Sequence, residues 1–290
     1  MKQKSAHVVL ILSILAVSCA APLAKLLQPT HPMAIGFWRC LIIGALLSPF
    51  LLREKIPLKS LGLSFGAGFF LALHFWSWFA SLQYTSTLRS TLLVCLNPIW
   101  VGLLEGIILK KMPSKNHWYG VLIALFGLGL MGLDTQDHEA TMYGDLLALL
   151  GGILGALYLL VGRKVRASVS IAPYGAIICL SSALFLALLV PVNSGSLELE
   201  GNNAWLLIGL MALGPQLMGH IGLNYAMGYL SAAFVSLMLL FEPIGAALIA
   251  IPLLNELPSL LDALASLVII IGLFVGTIDK NQMFQSGKAQ

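Results

Sequence analysis

Ten apolar stretches of about twenty residues decide what this chain can become. They run at roughly 7–27, 33–52, 61–83, 87–109, 117–134, 142–161, 172–192, 204–225, 231–254 and 260–278. A helix of about 20 residues crosses the hydrocarbon layer. Within lipid such a segment must satisfy its own backbone hydrogen bonds, which a helix does and an isolated strand does not. The connections are short and carry turn chemistry, as in "QPTHP", "KKMPSKN", "NSGSLELEGNN" and "NELPS". Charged residues make up 10% of the chain, against about 25% in soluble domains. The chain therefore reads as an all-α polytopic membrane protein with ten transmembrane helices. Its start, "MKQKSAHVVLILSILAVSCAAP", has the basic head and apolar core of a secretory signal. The apolar run continues through Pro22 to Leu27, however, and reads as the first span. Cys19, Cys40, Cys95 and Cys179 lie inside apolar runs without metal-ligand spacing and read as packing residues.

Charge placement sets an orientation. With ten spans both termini lie on one side, and that side collects 13 of the 16 basic residues, including Arg53, Lys55, Lys59, Lys110, Lys111, Lys115, Arg163, Lys164 and Arg166. The opposite loops carry Asp134, Asp137, Glu139, Glu198, Glu200 and Glu256. The positive-inside rule then places both termini in the cytoplasm.

The chain also overlies itself. At a shift of 145 residues "LLVCLNPIWVGLLEGIILKKMPSKNHWYGVLIALFGLGL" meets "LMLLFEPIGAALIAIPLLNELPSLLDALASLVIIIGLF". Pro98 falls on Pro243, Pro113 on Pro258 and Gly127 on Gly272, and it is such punctuating residues that carry a repeat in leucine-rich runs. Residues 1–136 then hold spans one to five and residues 137–290 spans six to ten. Five is odd, so the second half enters the membrane inverted, an arrangement that suits alternating access around a midplane site.

Several polar residues are unusual at such depth. In span nine, "LMLLFEPIGAALIA" sets Glu242 beside Pro243. An acid at the middle of a membrane helix costs roughly 2.5–3.5 kcal/mol on insertion scales, and proline removes a helix donor where water cannot replace it. Asn97-Pro98 is the equivalent pair in span four. A proline break at matching depth in both halves frees carbonyls around a central cavity, or else marks two packing kinks. A carboxylate in hydrocarbon resists ionisation, so Glu242 is the leading candidate for proton coupling; a cap on the broken backbone is the other reading. Span three places His74, Trp78 and Ser81 on one face, span four Arg89, Asn97 and Trp100, and span eight Gln216, His220 and Asn224 at intervals of four. With Tyr158 in span six these are the cavity candidates. Arg89 either attracts a carboxylate or phosphate or anchors at the headgroups.

Other patterns carry no chemistry. "GLSFG" at Gly62 to Gly66 spells a hydrolase nucleophile motif but opens a membrane helix, not a strand-to-helix elbow. Its glycines read as small-residue packing, as do Gly151 and Gly155. No P-loop, dinucleotide fingerprint or HExxH occurs, so any transport runs on a gradient or on exchange, and no enzyme, cofactor or metal site is expected.

The chain resembles the drug/metabolite transporter superfamily with two EamA-type repeats. The resemblance rests on "APLAKLL", "FWRCLIIGALL" and "SLQYTSTLRSTLLVCLNPIWVGLLEGIILKKMP" in the first half. In the second it rests on "GDLLALLGGILGALYLLVGRKV" and on the run from "LNYAMGYLSAAF" to "VIIIGLFVG". It implies ten helices, cytoplasmic termini, a cavity between the halves, and export or exchange of a small metabolite across the plasma (bacterial inner) membrane. Arg39 matches an arginine common in that family, which implies a structural pairing. Aromatic and amide side chains argue for amino acids or similar amphipathic organics, with protons or a counter-substrate as coupling partner. A sugar-phosphate or nucleotide-sugar exchanger and a non-transporting scaffold or receptor are the alternatives. Nucleic acid is not an expected partner.

Overall fold

The computed structural model describes residues 2–109, 114–131, 141–191, 195–230 and 232–277. Lys110, Lys111, the acidic loop 134–139, Lys280 and Lys288, which entered the orientation argument, lie outside these. Among the described residues every regular element is helical. In the first half these are α1 (Lys2–Ser18), α2 (Ala20–Leu26), α3 (Pro32–Leu47), α4 (Leu58–Ser81), α5 (Thr87–Val94), α6 (Asn97–Leu109) and α7 (Lys115–Met131). The second half holds α8 (Met142–Val165), α9 (Ile171–Leu189), α10 (Ala204–Met211), α11 (Gly222–Met227), α12 (Ala232–Met238), α13 (Glu242–Leu254) and α14 (Leu260–Thr277). A π-helical stretch, Ala212–Ile221, joins α10 to α11, and 3₁₀ turns follow α3 and α12.

Eight runs are long and apolar enough to cross a bilayer: Ser5–Leu26, Pro32–Leu52, Leu58–Ser81, Thr87–Leu104, Met142–Val165, Ile171–Leu189, Ala204–Met227 and Phe234–Leu254. Trp118–Gly127 and Leu260–Gly276 are apolar but shorter. They fall where the sequence predicts the fifth and tenth spans. Large apolar side chains such as Ile11, Leu15, Leu122, Phe126, Leu188, Leu206 and Leu248 face outward, as lipid contact requires.

Local chemistry sets the helix ends. Ahead of α3, His31 Nδ1 accepts from the Met33 N–H at 3.2 Å, with Pro32 in the first helical position. Thr141 caps α8 by accepting from the Gly144 N–H at 3.1 Å. Asn255, at φ 57°, ends α13 in the left-handed conformation that asparagine tolerates.

Packing pairs early spans with late ones. α3 lies on α9, α4 on both α8 and α9, α5 on α8 and α13, α1 on the π-helical stretch and α11, and α7 on α14. The last pair meets backbone to backbone: a Cβ on Gly120 would overlap the Gly272 carbonyl and the Gly276 backbone. Small residues permit this approach, which is how helices associate without a hydrophobic drive in lipid. Gly151 and Gly155 are packed as expected, against Ser77, Trp78 and His74. Gly62 and Gly66 are not: a Cβ on either would meet open space, because that face of α4 turns away from its neighbours.

Candidate functional site

The fourth and ninth spans are broken where the repeat aligns their prolines. α5 stops at Val94, Cys95 and Leu96 interrupt it, and α6 begins at Asn97 with Pro98 in its first turn. α12 passes through the Leu239–Phe241 turn into α13, whose first residues are Glu242 and Pro243. Proline is tolerated in a first turn because its missing N–H had no helical acceptor there. Asn97 and Glu242 are thereby set at the starts of two helices, and both line one cavity.

That cavity is partly open, and its free space is about 420 Å³ when the open side is counted. Its walls include Val17 of α1, His74 and Trp78 of α4, Gly155 and Tyr158 of α8, His220 of the π-helical stretch, and Cys95. Glu242, 7% exposed, accepts from the Cys95 thiol at 3.5 Å. His74 Nδ1 lies 2.7 Å from the Gly151 carbonyl oxygen. A carbonyl only accepts, so Nδ1 carries the proton and Nε2 is the acceptor of the neutral ring. The imidazole stacks on Trp78 at 5.8 Å between centroids and meets His220 edge-on at 6.0 Å. Gly155 keeps this wall open, since a Cβ there would stand 3.0 Å from His74 Nδ1.

The other candidates form a layer behind the cavity. Arg39 is fully buried, its guanidinium carbon 4.4 Å from the Phe75 ring centre and its Nε donating to Gln216 Oε1 at 3.0 Å. Its Nη1 and Nη2 have no hydrogen-bond partner among the described residues. Gln216 also reaches Cys179 Sγ at 3.3 Å. Asn224 donates to the Tyr158 hydroxyl and to the His220 carbonyl, the latter at 2.8 Å. The stripe read in span eight thus divides: His220 lines the cavity, while Gln216 and Asn224 hold Arg39 and Tyr158. Ser81 lies apart, bonded to Ser90 Oγ and to the Trp78 carbonyl, each at 2.6 Å. Arg89 is engaged bidentately by Asp145, at 2.8 and 2.7 Å. Trp100 packs in the half-buried layer around Ala148, Ala156 and Ala232.

The EamA-like transporter family model matches residues 4–133 and again 142–278. The chain belongs to the EamA-like transporter family. Its curated relatives include two uncharacterized transporters of Bacillus subtilis strain 168. YwfM is 29% identical over 86% of this chain and 85% of its own length. YdfC is 23% identical over 89% and 85%. A further transporter of that organism, YyaM, is 26% identical but aligns over only 59% of this chain and 58% of itself. A solved crystal structure superposes over 95% of this chain and 97% of its own with a TM-score of 0.72 at 20% identity, a likeness of fold.

This EamA-like transporter thus gathers His74, Trp78, Asn97, Tyr158, His220 and Glu242 at one cavity and leaves Ser81, Arg89, Trp100, Gln216, Asn224 and Arg39 outside its lining. Pro98 and Pro243 are not in that lining, but the residues just before them, Asn97 and Glu242, are. Cys95, read from sequence as packing, is the thiol that contacts Glu242. Its place two residues before the Asn97-Pro98 break is the one sequence signal for this, and the packing reading passed over it.

Proposed function

We propose that this family member is a secondary transporter that carries small amphipathic organics, amino acids foremost, by alternating access between two five-helix halves. One observation supports this above others: the cavity draws its walls from both halves and sits where the fourth and ninth spans break. The double match of the family model, and contacts that run from early spans to late ones, agree with two related halves hinged about that point. We assign export across the plasma membrane, with cytoplasmic termini, on the charge pattern and the family. The sugar-phosphate alternative fits less well, because among the described residues no lysine or arginine lines the cavity and phosphate recognition calls for them.

Glu242 is the proposed coupling group. It faces Cys95, with His74, His220 and Tyr158 lining the same cavity and Arg39 behind Phe75. Flux in proteoliposomes tests the reading, with labelled amino acids, nucleobases and sugar phosphates offered with and without a pH gradient. Amino-acid flux accelerated by the gradient, and no longer gradient-dependent in Glu242→Gln, is expected. Gradient-independent flux would remove Glu242 from coupling. Absence of flux for every class would favour a scaffold or receptor.

A further inference from the structure

The ionisable charge of the cavity is one-sided. Among the described residues of its lining Glu242 is the sole side chain that is charged by its ordinary nature, and it is an acid. The remaining polar lining offers an acceptor at His74 Nε2, fixed by the Gly151 carbonyl, and a ring nitrogen of His220, Nδ1, that meets no partner. Among the described residues Asn97 Oδ1 is likewise without a donor, and the Trp78 Nε1–H without an acceptor. The nearest guanidinium, Arg39, is not in the lining: it lies over the face of Phe75, and Phe75 in turn meets His220 at 5.0 Å. An anionic group entering here would stand beside a carboxylate with no cation among the described lining residues to meet it, and like charges brought together out of water repel strongly. A donor-rich cation meets the reverse situation. It finds a desolvated carboxylate and acceptors on two sides, beside the aromatic side chains of Trp78 and Tyr158 that line the same wall.

From this juxtaposition we infer that the substrate group read by the cavity is a protonated amine, seated on Glu242 between His74, Trp78 and Tyr158, and that a carboxylate on the substrate is not required. The inference rests on the transporter reading and narrows its substrate class: amino acids qualify through their ammonium, and amines lacking a carboxylate qualify equally. Cys95 is a positioning residue, its S–H holding one oxygen of Glu242 and leaving the carboxylate's other oxygen to the ligand.

Three probes that share one phenol ring separate the charges: tyramine, tyrosine and 4-hydroxyphenylpropionate. Binding to the purified full-length protein is measured by calorimetry at one pH and salt. Tyramine and tyrosine are expected to bind at least about tenfold more tightly than the acid. Glu242→Gln is expected to remove that preference by weakening the two amines about tenfold or more while sparing the acid. Should Glu242→Gln fail to fold, the ranking of the three probes on the unmodified protein decides alone. The acid binding as tightly as tyramine, tyrosine binding at least tenfold tighter than tyramine, or no binding by any probe would each overturn the inference. Flux is read separately in proteoliposomes. Tyrosine carried together with 4-hydroxyphenylpropionate at similar rates keeps the transporter and overturns the amine, whereas amine-selective binding with no flux keeps the amine site and overturns transport.

Discussion

Lys25 Nζ stands 2.7 Å from Glu256 Oε1, and the other oxygen of the same carboxylate accepts from the Thr87 backbone N–H at 2.9 Å. One acid therefore ties the end of the first span, the start of the fourth, and the turn between α13 and α14. Two residues beyond Thr87, Arg89 grips Asp145 at the start of α8. The Thr141 N–H adds a bond to the Tyr84 carbonyl at 2.9 Å. All these links join residues before 136 to residues after 137, at one end of the bundle, so a motion that opens this end must break them.

Glu256→Gln is accordingly expected to favour opening at this end. The pair is partly buried, with side-chain exposures of 10% and 24%, which places its worth between the 0.2–1 kcal/mol of surface pairs and the roughly 3–5 kcal/mol of breaking a buried one. About 1 kcal/mol changes a two-state population roughly fivefold. Cys95 lines the cavity and reports the change as a rate of maleimide alkylation, read in a background carrying Cys19→Ala, Cys40→Ala and Cys179→Ala. An alkylation rate that does not rise in Glu256→Gln would show that these contacts hold nothing shut.

The contact of α7 with α14 makes a sharper steric prediction. Gly120→Val should lower thermal stability by about 1–3 kcal/mol or prevent folding, because its Cβ meets the backbone of Gly272 and Gly276, which cannot yield as a side chain would. Gly129 lies on the same helix with nothing within 4 Å of a Cβ, so Gly129→Ala should be neutral or stabilise by up to about 1 kcal/mol. Detergent melting curves of the two variants check this. Equal behaviour would mean that the helices are not in backbone contact.

Arg39 and Gln216 allow a double-mutant cycle. Gln216→Leu removes the partner of the Arg39 Nε and leaves a buried guanidinium with no hydrogen bond to any described residue, a loss of about 1–3 kcal/mol or more. Replacing both residues, as in Arg39→Met with Gln216→Leu, removes the charge together with its need for a partner. The double variant is expected to melt higher than Gln216→Leu alone. If it melts lower, the guanidinium draws its stability from Phe75 and Phe79 and not from the amide.

What the sequence made legible follows from where the physics is local. Apolar length revealed the spans, and the matched prolines at 98 and 243 located both breaks, because helix formation and proline sterics act within a few residues. Burial of Gln216, His220 and Asn224 was legible too, since three polar groups on one face do not turn to lipid. Their division of labour was not: it depends on Arg39, 177 positions from Gln216, and on a π-helical widening around Pro215. Arg89 looked available for an anion because Asp145, its partner, lies 56 residues away. Val17 and Leu239 line the cavity as ordinary aliphatic residues, and nothing local distinguishes them from their lipid-facing neighbours.

His31 supplies a prediction that depends on pH. It lies just outside the second span, and its Nδ1 must be unprotonated to accept the Met33 N–H that it caps. Burial lowers its proton affinity in the fold, below the usual value of about 6.5. The unfolded chain therefore takes up this proton first as the pH falls. The cap's contribution is constant above about pH 6.5 and is lost progressively as the pH drops towards the folded value. His31→Ala should cost about 1 kcal/mol at neutral pH and progressively less in acid. His31→Asn keeps an acceptor that does not titrate, so it should match the parent at neutral pH and exceed it near pH 5. Melting temperatures of the three proteins between about pH 7.5 and 5 provide the check; parallel profiles for parent and His31→Asn would mean that the imidazole does not titrate as the cap.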